Sequence, residues 1–223
     1  MNLEFLAATE LFSGISQDEI PEMLTCIRCR EKEYKKDETV FRAGDKVSDI
    51  CLVEQGSVNI VVNFYWGSSN IFGHYEKGEI FSETYAALPE KELFCDVVAA
   101  EECKILFMDM NSLLTRCADG CDKHNRLIRN LVSISARKNF DLSARMMHIA
   151  SRSIRNRLIS YFTTMSIEQG NNEFTIPFSR QQLADYLSVD RSALSNELSK
   201  MQKDGIITYK KNRFRLNEDA VKQ

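Results

Sequence analysis

Residues 122–150 contain neither glycine nor proline, and they carry apolar residues at Leu127, Leu131, Ile134, Leu142, Met146 and Ile149. The intervals are threes, fours and one larger multiple, the spacing that lines residues along one side of a helix. Strands of that length are foreign to compact domains, so one long helix is expected here. It divides the chain into a part before and a part after, and 223 residues suffice for a core in each. The stripe, flanked by Arg and Lys, can pack on its own domain or pair with a second copy of itself. Lys138 interrupts it, so a perfect coiled coil is not expected.

The part before the helix carries short β-rich runs at Thr39–Phe41, Ile50–Val53, Ser57–Val62, Asn70–Phe72, Val97-Val98 and Lys104–Met108. Gly44, Gly56, Gly73 and Gly78 are expected at the turns between them. Many short strands at this spacing predict a sandwich or jelly-roll barrel. A short helix is expected ahead of them near Ser16–Cys26, where Ser16 and Glu19 have capping-box spacing. The part after begins near Ser151. Its signals are a helix bearing Ile154, Leu158 and Phe162, a polar loop at Gly170-Asn-Asn172, and a brief strand at Phe174–Ile176.

Residues 179–201 then read as two short helices around a tight turn. Ser179 and Gln182 have capping-box spacing, and Leu183, Ala184 and Leu187 make one apolar face. Ser188-Val189 interrupts the pattern, and Asp190 suits the cap of a second helix. There Leu194, Leu198 and Met201 face inward, while Arg191, Ser192, Ser195, Asn196 and Ser199 gather on the opposite face. Those polar side chains match the donor and acceptor pattern of a DNA major groove. Beyond Gly205, two strands around the polar turn Lys210–Arg213 make a basic wing. An ordinary helical hairpin would share the amphipathicity, but the cap, interruption, small residue and basic hairpin fall in the order of a DNA-binding unit. Charge agrees: residues 151–223 hold 12 Lys and Arg against 8 Asp and Glu, a surplus of +4, whereas residues 1–150 hold 17 against 24, or −7. A positive C-terminal part suits a polyanion. Since groove-reading helices of this kind work as twofold pairs, the stripe at 122–150 is expected to be a dimer seam.

The expected architecture is α+β: a jelly-roll β-barrel over 1–117, a long dimerisation helix over 118–150, and a winged helix-turn-helix over 151–223. No stretch approaches a membrane span, and the N-terminal MNLEFLAATELF has no basic leader. Seven cysteines without an export signal argue for reduced thiols in a cytoplasm. An enzyme of jelly-roll type would need His and carboxylate ligands inside the barrel. That region holds only His74, expected on a turn, so catalysis is not expected. A small-molecule module without DNA binding is disfavoured by the wing.

The order of elements resembles the Crp–Fnr family of bacterial transcription regulators over essentially the whole chain. The residues carrying it are Ala43-Gly44-Asp45, Val53-Glu-Gln-Gly56-Ser-Val58, Lys77-Gly78-Glu79-Ile-Phe81-Ser-Glu83, Ser179-Arg-Gln-Gln-Leu-Ala184 and Arg191-Ser-Ala-Leu-Ser195. The resemblance implies a cyclic-nucleotide-binding-like barrel and homodimers on palindromic double-stranded operators. It also implies contact with RNA polymerase and a small effector in the barrel that reorients the DNA-binding domains. Carried over by position, Arg191, Ser192 and Asn196 fall where the family reads base edges. Ser192 stands where a glutamate is usual and Asn196 where an arginine is, so the operator half-site should differ from that of the cyclic-AMP receptors. Ser195 and Ser199 share that face, Ser179 and Arg180 suit phosphate contact, and Lys210 and Lys211 belong to the wing.

The expected effector pocket comprises Phe81, Ser82, Glu83, Thr84, Tyr85, Leu93 and Phe94, with Trp66 a further aromatic candidate. Cyclic-nucleotide members have Phe-Gly-Glu-Leu followed by Arg-Ser; here Phe81-Ser-Glu-Thr84 and about Leu93-Phe94 stand instead. Only Glu83 keeps its role, and a buried phosphate without a cation is costly. The effector is therefore expected not to be cyclic AMP or cyclic GMP, its identity is open, and the fold requires no cofactor. The alternative is a cysteine-based redox or metal sensor. Cys26-x-x-Cys29 is the pair an iron–sulfur cluster would start from, but the cysteine-rich extension of the family's oxygen sensors is lacking. Cys117, Cys121 and His124 share helical spacing as weak zinc candidates. His74 is the only candidate for haem.

Overall fold

The computed structural model describes residues 2–63, 67, 69–115 and 122–217. They form two compact units, Met1–Arg137 and Lys138–Gln223. Among the described residues no helix is long and apolar enough to cross a membrane.

The first unit opens with two helices, α1 (Leu3–Ala8) and α2 (Ile20–Ile27). Ser16 and Glu19 make half of the expected box: the Ser16 N–H donates to the Glu19 carboxylate at 3.0 Å, and the α-helix begins only at Ile20. Eight strands follow: β1 (Cys29–Tyr34), β2 (Thr39–Phe41), β3 (Asp49–Gln55), β4 (Ser57–Asn63), β5 (Ser69–Glu76), β6 (Ile80–Phe81), β7 (Asp96–Ala99) and β8 (Cys103–Asp109). A single turn, α3 (Glu83–Ala86), lies between β6 and β7, and α4 (Met110–Leu114) follows β8. The strands pair antiparallel into two four-stranded sheets, ordered β1-β8-β3-β6 and β2-β7-β4-β5. The N-terminal fold is thus the expected double-sheet β structure.

Strand β3 shows why these runs are so apolar. Its alternate residues enter two different cores. Cys51 and Val53 join Tyr34, Val58, Phe81, Val97, Ile105 and Phe107 between the sheets. Ile50 and Leu52 join α1, α2, α4, Leu106 and Met108 on the outer face. A strand buried on both faces loses the polar alternation of a half-exposed one. Gly56 turns β3 into β4 at φ +69°, and a Cβ there would lie 2.4 Å from the Glu102 carbonyl oxygen, so no other residue fits. Gly73 departs from expectation. It sits inside β5, opposite Ile60 at a register shift, so it marks a bulge and not a turn. His74 is likewise within β5, where Nδ1 lies 2.7 Å from the Asn59 side-chain oxygen.

The long helix α5 (Asp122–Ile149) has 28 residues. Leu127, Leu131 and Ile134 are buried in the outer core of the first unit. Asn130 donates to the carbonyls of Leu11 and Ser13, both at 2.9 Å, and Arg137 pairs with Glu10 at 2.6 Å. The first half of the stripe is therefore core of this chain. Further along, Leu142 and Met146 are exposed, as are Val132, Phe140 and Met147.

The second unit continues with α6 (Ile154–Glu168), β9 (Glu173–Thr175), α7 (Arg180–Tyr186), α8 (Arg191–Lys203), β10 (Ile207–Lys210) and β11 (Arg213–Leu216). Strands pair in the order β10-β11-β9. Phe162, Phe174 and Phe214 stack at the centre, with ring centres 4.6–6.2 Å apart, beneath Leu183, Ala184, Leu187, Leu194, Leu198 and Met201.

Candidate nucleic-acid interface

Helix α7 begins with a complete capping box. Ser179 Oγ accepts from the Gln182 N–H, and the Gln182 side chain accepts from the Ser179 N–H at 2.8 Å. Ser188, at φ 53°, makes the turn. The Asp190 carboxylate accepts from the Ser192 and Ala193 N–H groups at 2.7 and 3.1 Å and starts α8. The Ser192 hydroxyl, with those N–H groups, holds its carboxyl below the usual range.

Arg191, Ser192, Ser195, Asn196 and Ser199 are all exposed on α8, opposite Leu194, Leu198 and Met201. They are not equivalent. Ser192 Oγ donates to Asp190 at 2.5 Å, Ser195 Oγ to the Arg191 carbonyl at 2.9 Å, and Ser199 Oγ to the Ser195 carbonyl at 3.0 Å. Three hydroxyl protons are thus spent within the helix. Among these five side chains, Arg191 and Asn196 keep their donors turned to solvent. Lys210 and Lys211 are exposed at the wing turn. Arg180 is half-buried against the wing, Nη2 donating to the Lys211 carbonyl at 2.9 Å.

Four residues that the sequence did not single out brace α7, the turn and α8. Arg155 on α6 reaches the middle of α8 and its C-cap, pairing with Glu197 at 2.6 Å and Asp204 at 2.7 Å. Arg145 donates to the carbonyls of Asp185 and Tyr186, at 3.0 and 2.9 Å. Arg157 donates to those of Leu187 and Ser188, at 2.8 and 3.1 Å. The carbonyls that a helix leaves bare at its C-terminus are thereby satisfied by two cations. His148, buried, bridges Tyr186 Oη and Thr164 Oγ1, each at 2.9 Å.

At the candidate effector end, Phe81 and Leu93 are core residues, while Thr84 and Phe94 are exposed and Tyr85 is half-buried. Ser82 takes φ 64° and its hydroxyl donates to the Asp49 carbonyl at 2.6 Å, so a side chain fills the place of the family's glycine. Glu83 is buried and opens α3. Phe94 meets Tyr85 and Phe72, with ring centres 6.0 and 6.4 Å apart. Trp66, Cys117 and Cys121 lie outside the described residues. His124 is buried and hydrogen-bonds the Leu113 carbonyl. Among the described residues no group of three His, Cys, Asp or Glu could hold a metal ion. Cys26 is exposed on α2 and Cys29 opens β1, half-buried. Burial pushes the Cys29 thiol up to about 12 and Cys103 up to about 11, and raises Cys51 and Cys95. Such thiols carry little of the thiolate that redox or metal chemistry uses.

Residues 31–119 match the profile of the cyclic nucleotide-binding domain, and residues 156–220 that of the Crp-like helix-turn-helix domain. Transcriptional activator protein FnrA of Stutzerimonas stutzeri is 22% identical over 187 residues, 80% of this chain and 72% of FnrA. Electron transport regulator A of Shewanella oneidensis is 20% identical over 187 residues, 81% and 72% of the two chains. Among solved structures, the catabolite activator protein of Thermus thermophilus is similar at a TM-score of 0.55, with 21% identity and 96% of each chain covered. The c-di-GMP responsive global regulator CLP of Xanthomonas campestris is similar at 0.53, with 18% identity over 88% of this chain and 97% of CLP.

Proposed function

This chain belongs to the Crp–Fnr family of DNA-binding transcription regulators, and on that premise we propose that it is a cytosolic homodimer reading a palindromic operator with α8. It is a regulator and not an enzyme. The observation that carries the operator reading is the solvent face of α8, where Arg191 and Asn196 keep free donors while three serine hydroxyls do not. An arginine fork can take guanine O6 and N7 together, and an asparagine can take adenine N6 and N7. Each half-site is therefore read by a guanine contact from Arg191 and an adenine contact from Asn196. Lys210 and Lys211 hold the backbone beside it, and RNA polymerase is the expected downstream partner. A ligand near Glu83, Tyr85 and Phe94 shifts the population between DNA-competent and incompetent dimers. The altered Ser82, Leu93 and Phe94 positions support a ligand other than a cyclic nucleotide.

The test is selection of bound sequences from a random duplex library, followed by anisotropy titration of Arg191→Ala on the selected site. The substitution is expected to weaken specific binding by about 1–3 kcal/mol and to relax the preference at one base pair per half-site. Unchanged affinity and unchanged preference would refute the assignment.

A further inference from the structure

Arg180 stands in the first turn of α7, where an arginine on a free surface would reach for a phosphate. Its guanidinium lies elsewhere. The central carbon is 4.9 Å from the ring centre of Tyr209 and 4.9 Å from that of Phe214. Those rings are a cross-strand pair of the wing, stacked with centres 5.4 Å apart. A planar cation over such a seam is attracted by both ring faces. Nη2 donates to the Lys211 carbonyl at 2.9 Å, and Nη1 is buried without a hydrogen-bond acceptor among the described residues. Burial lowers its pKa, against the opposing effect of Tyr209.

The group it holds is the wing's own turn. Lys211 takes φ 54°, a left-handed conformation that a lysine adopts only when the surroundings impose it. The next carbonyl, that of Asn212, accepts from the Ile176 N–H at 3.0 Å. Two successive peptide groups of the hairpin are therefore tied to the body of the unit, one by the Arg180 side chain and one by backbone. Lys210 and Lys211 stand at this turn with their side chains exposed, so the direction in which their charges are offered depends on those ties.

We propose that Arg180 is a positioning residue: it clamps the wing so that Lys210 and Lys211 meet the DNA backbone, and does not itself contact a phosphate. The proposal rests on the DNA-binding reading above. Arginine and lysine separate the two roles. A lysine keeps the charge a phosphate needs, but it has no planar face for the rings and no fork.

The experiment uses the full chain and Arg180→Lys. In DNA-free protein, amide hydrogen exchange at residues 208–213 is expected to speed up about tenfold, with the amides of α6 and α8 unchanged. Operator affinity is expected to fall. In a Lys210→Ala/Lys211→Ala background, however, adding Arg180→Lys is expected to cost nothing further, because the two lysines that the clamp places are gone. The proposal is overturned by unaltered wing exchange or by faster exchange throughout the unit. Wild-type affinity in Arg180→Lys, or an effect that simply adds to that of the wing substitutions, overturns it equally. A wild-type chain that bound no DNA would sink the operator reading instead, and the exchange measurement would still judge the clamp.

Discussion

At the scale of single residues, His148 carries the clearest dependence on conditions. Burial holds its imidazole below the ordinary value, with Glu168 opposing, and both ring nitrogens are engaged by Tyr186 and Thr164. As the pH falls the unfolded chain takes up the proton first. The stability that neutral His148 contributes is therefore complete above about pH 6.5 and is lost as the pH drops from there towards the folded value. Thermal melts should show the C-terminal unit losing stability as the pH falls below about 6.5. In His148→Gln that loss should be shallower, and equal slopes would exclude this role. Nothing in the sequence announced His148, nor Arg145, Arg155 and Arg157. A charged side chain that reaches across space to a carbonyl reads, in one dimension, like any solvated cation. The exposed face of α8 was legible because helical periodicity places it directly; the internal bonds of Ser192, Ser195 and Ser199 were not, because they depend on rotamers.

At the scale of elements, legibility followed burial. Strands β3, β4 and β8 announce themselves because they are apolar on one or both faces. Strand β1, Cys-Arg-Glu-Lys-Glu-Tyr, escaped notice because four of its six residues are charged and only Tyr34 is buried. Helix α5 was recognisable as a helix, but its stripe serves two ends. Leu127, Leu131 and Ile134 pack inside the first unit, whereas Leu142 and Met146 are 58% and 68% exposed. Solitary exposed apolar residues need no explanation, but Leu142 and Met146, four residues apart, share one side of α5, with Phe140 and Met147 on another, and such paired exposure calls for a partner. A second copy of α5 meets that need in the proposed homodimer. Leu142→Glu should shift the protein from dimer to monomer in sedimentation equilibrium at micromolar concentration. An undiminished dimer would place the interface elsewhere.

For the whole molecule, sensing and output differ in how far the resemblance carries. The +4 surplus of residues 151–223 lies with the DNA-binding part, whereas residues 1–117 hold 11 Lys and Arg against 21 Asp and Glu, so the negative charge of the chain lies with the barrel. The proposal of an effector other than a cyclic nucleotide rests on the candidate effector end, where Leu93 is core, Phe94 meets Tyr85 at a tilt and Phe72 edge-on, and Ser82 takes φ 64° with its hydroxyl on the Asp49 carbonyl. Burying a phosphate beside those residues without a cation would be strongly unfavourable. Calorimetry with cyclic AMP and cyclic GMP should show no submicromolar binding, and neither should alter operator affinity; tight binding of either would overturn this. Finally, the arginine caps on α7 make the reading motif poor material for grafting. The turn at Ser188 has no glycine to relax it, and the carbonyls around it depend on Arg145 and Arg157, far upstream in the chain. A chimaera given residues 179–201 alone would inherit the letters that meet the operator but not the fastenings that aim them. A transplant meant to keep specificity would have to start no later than Arg145.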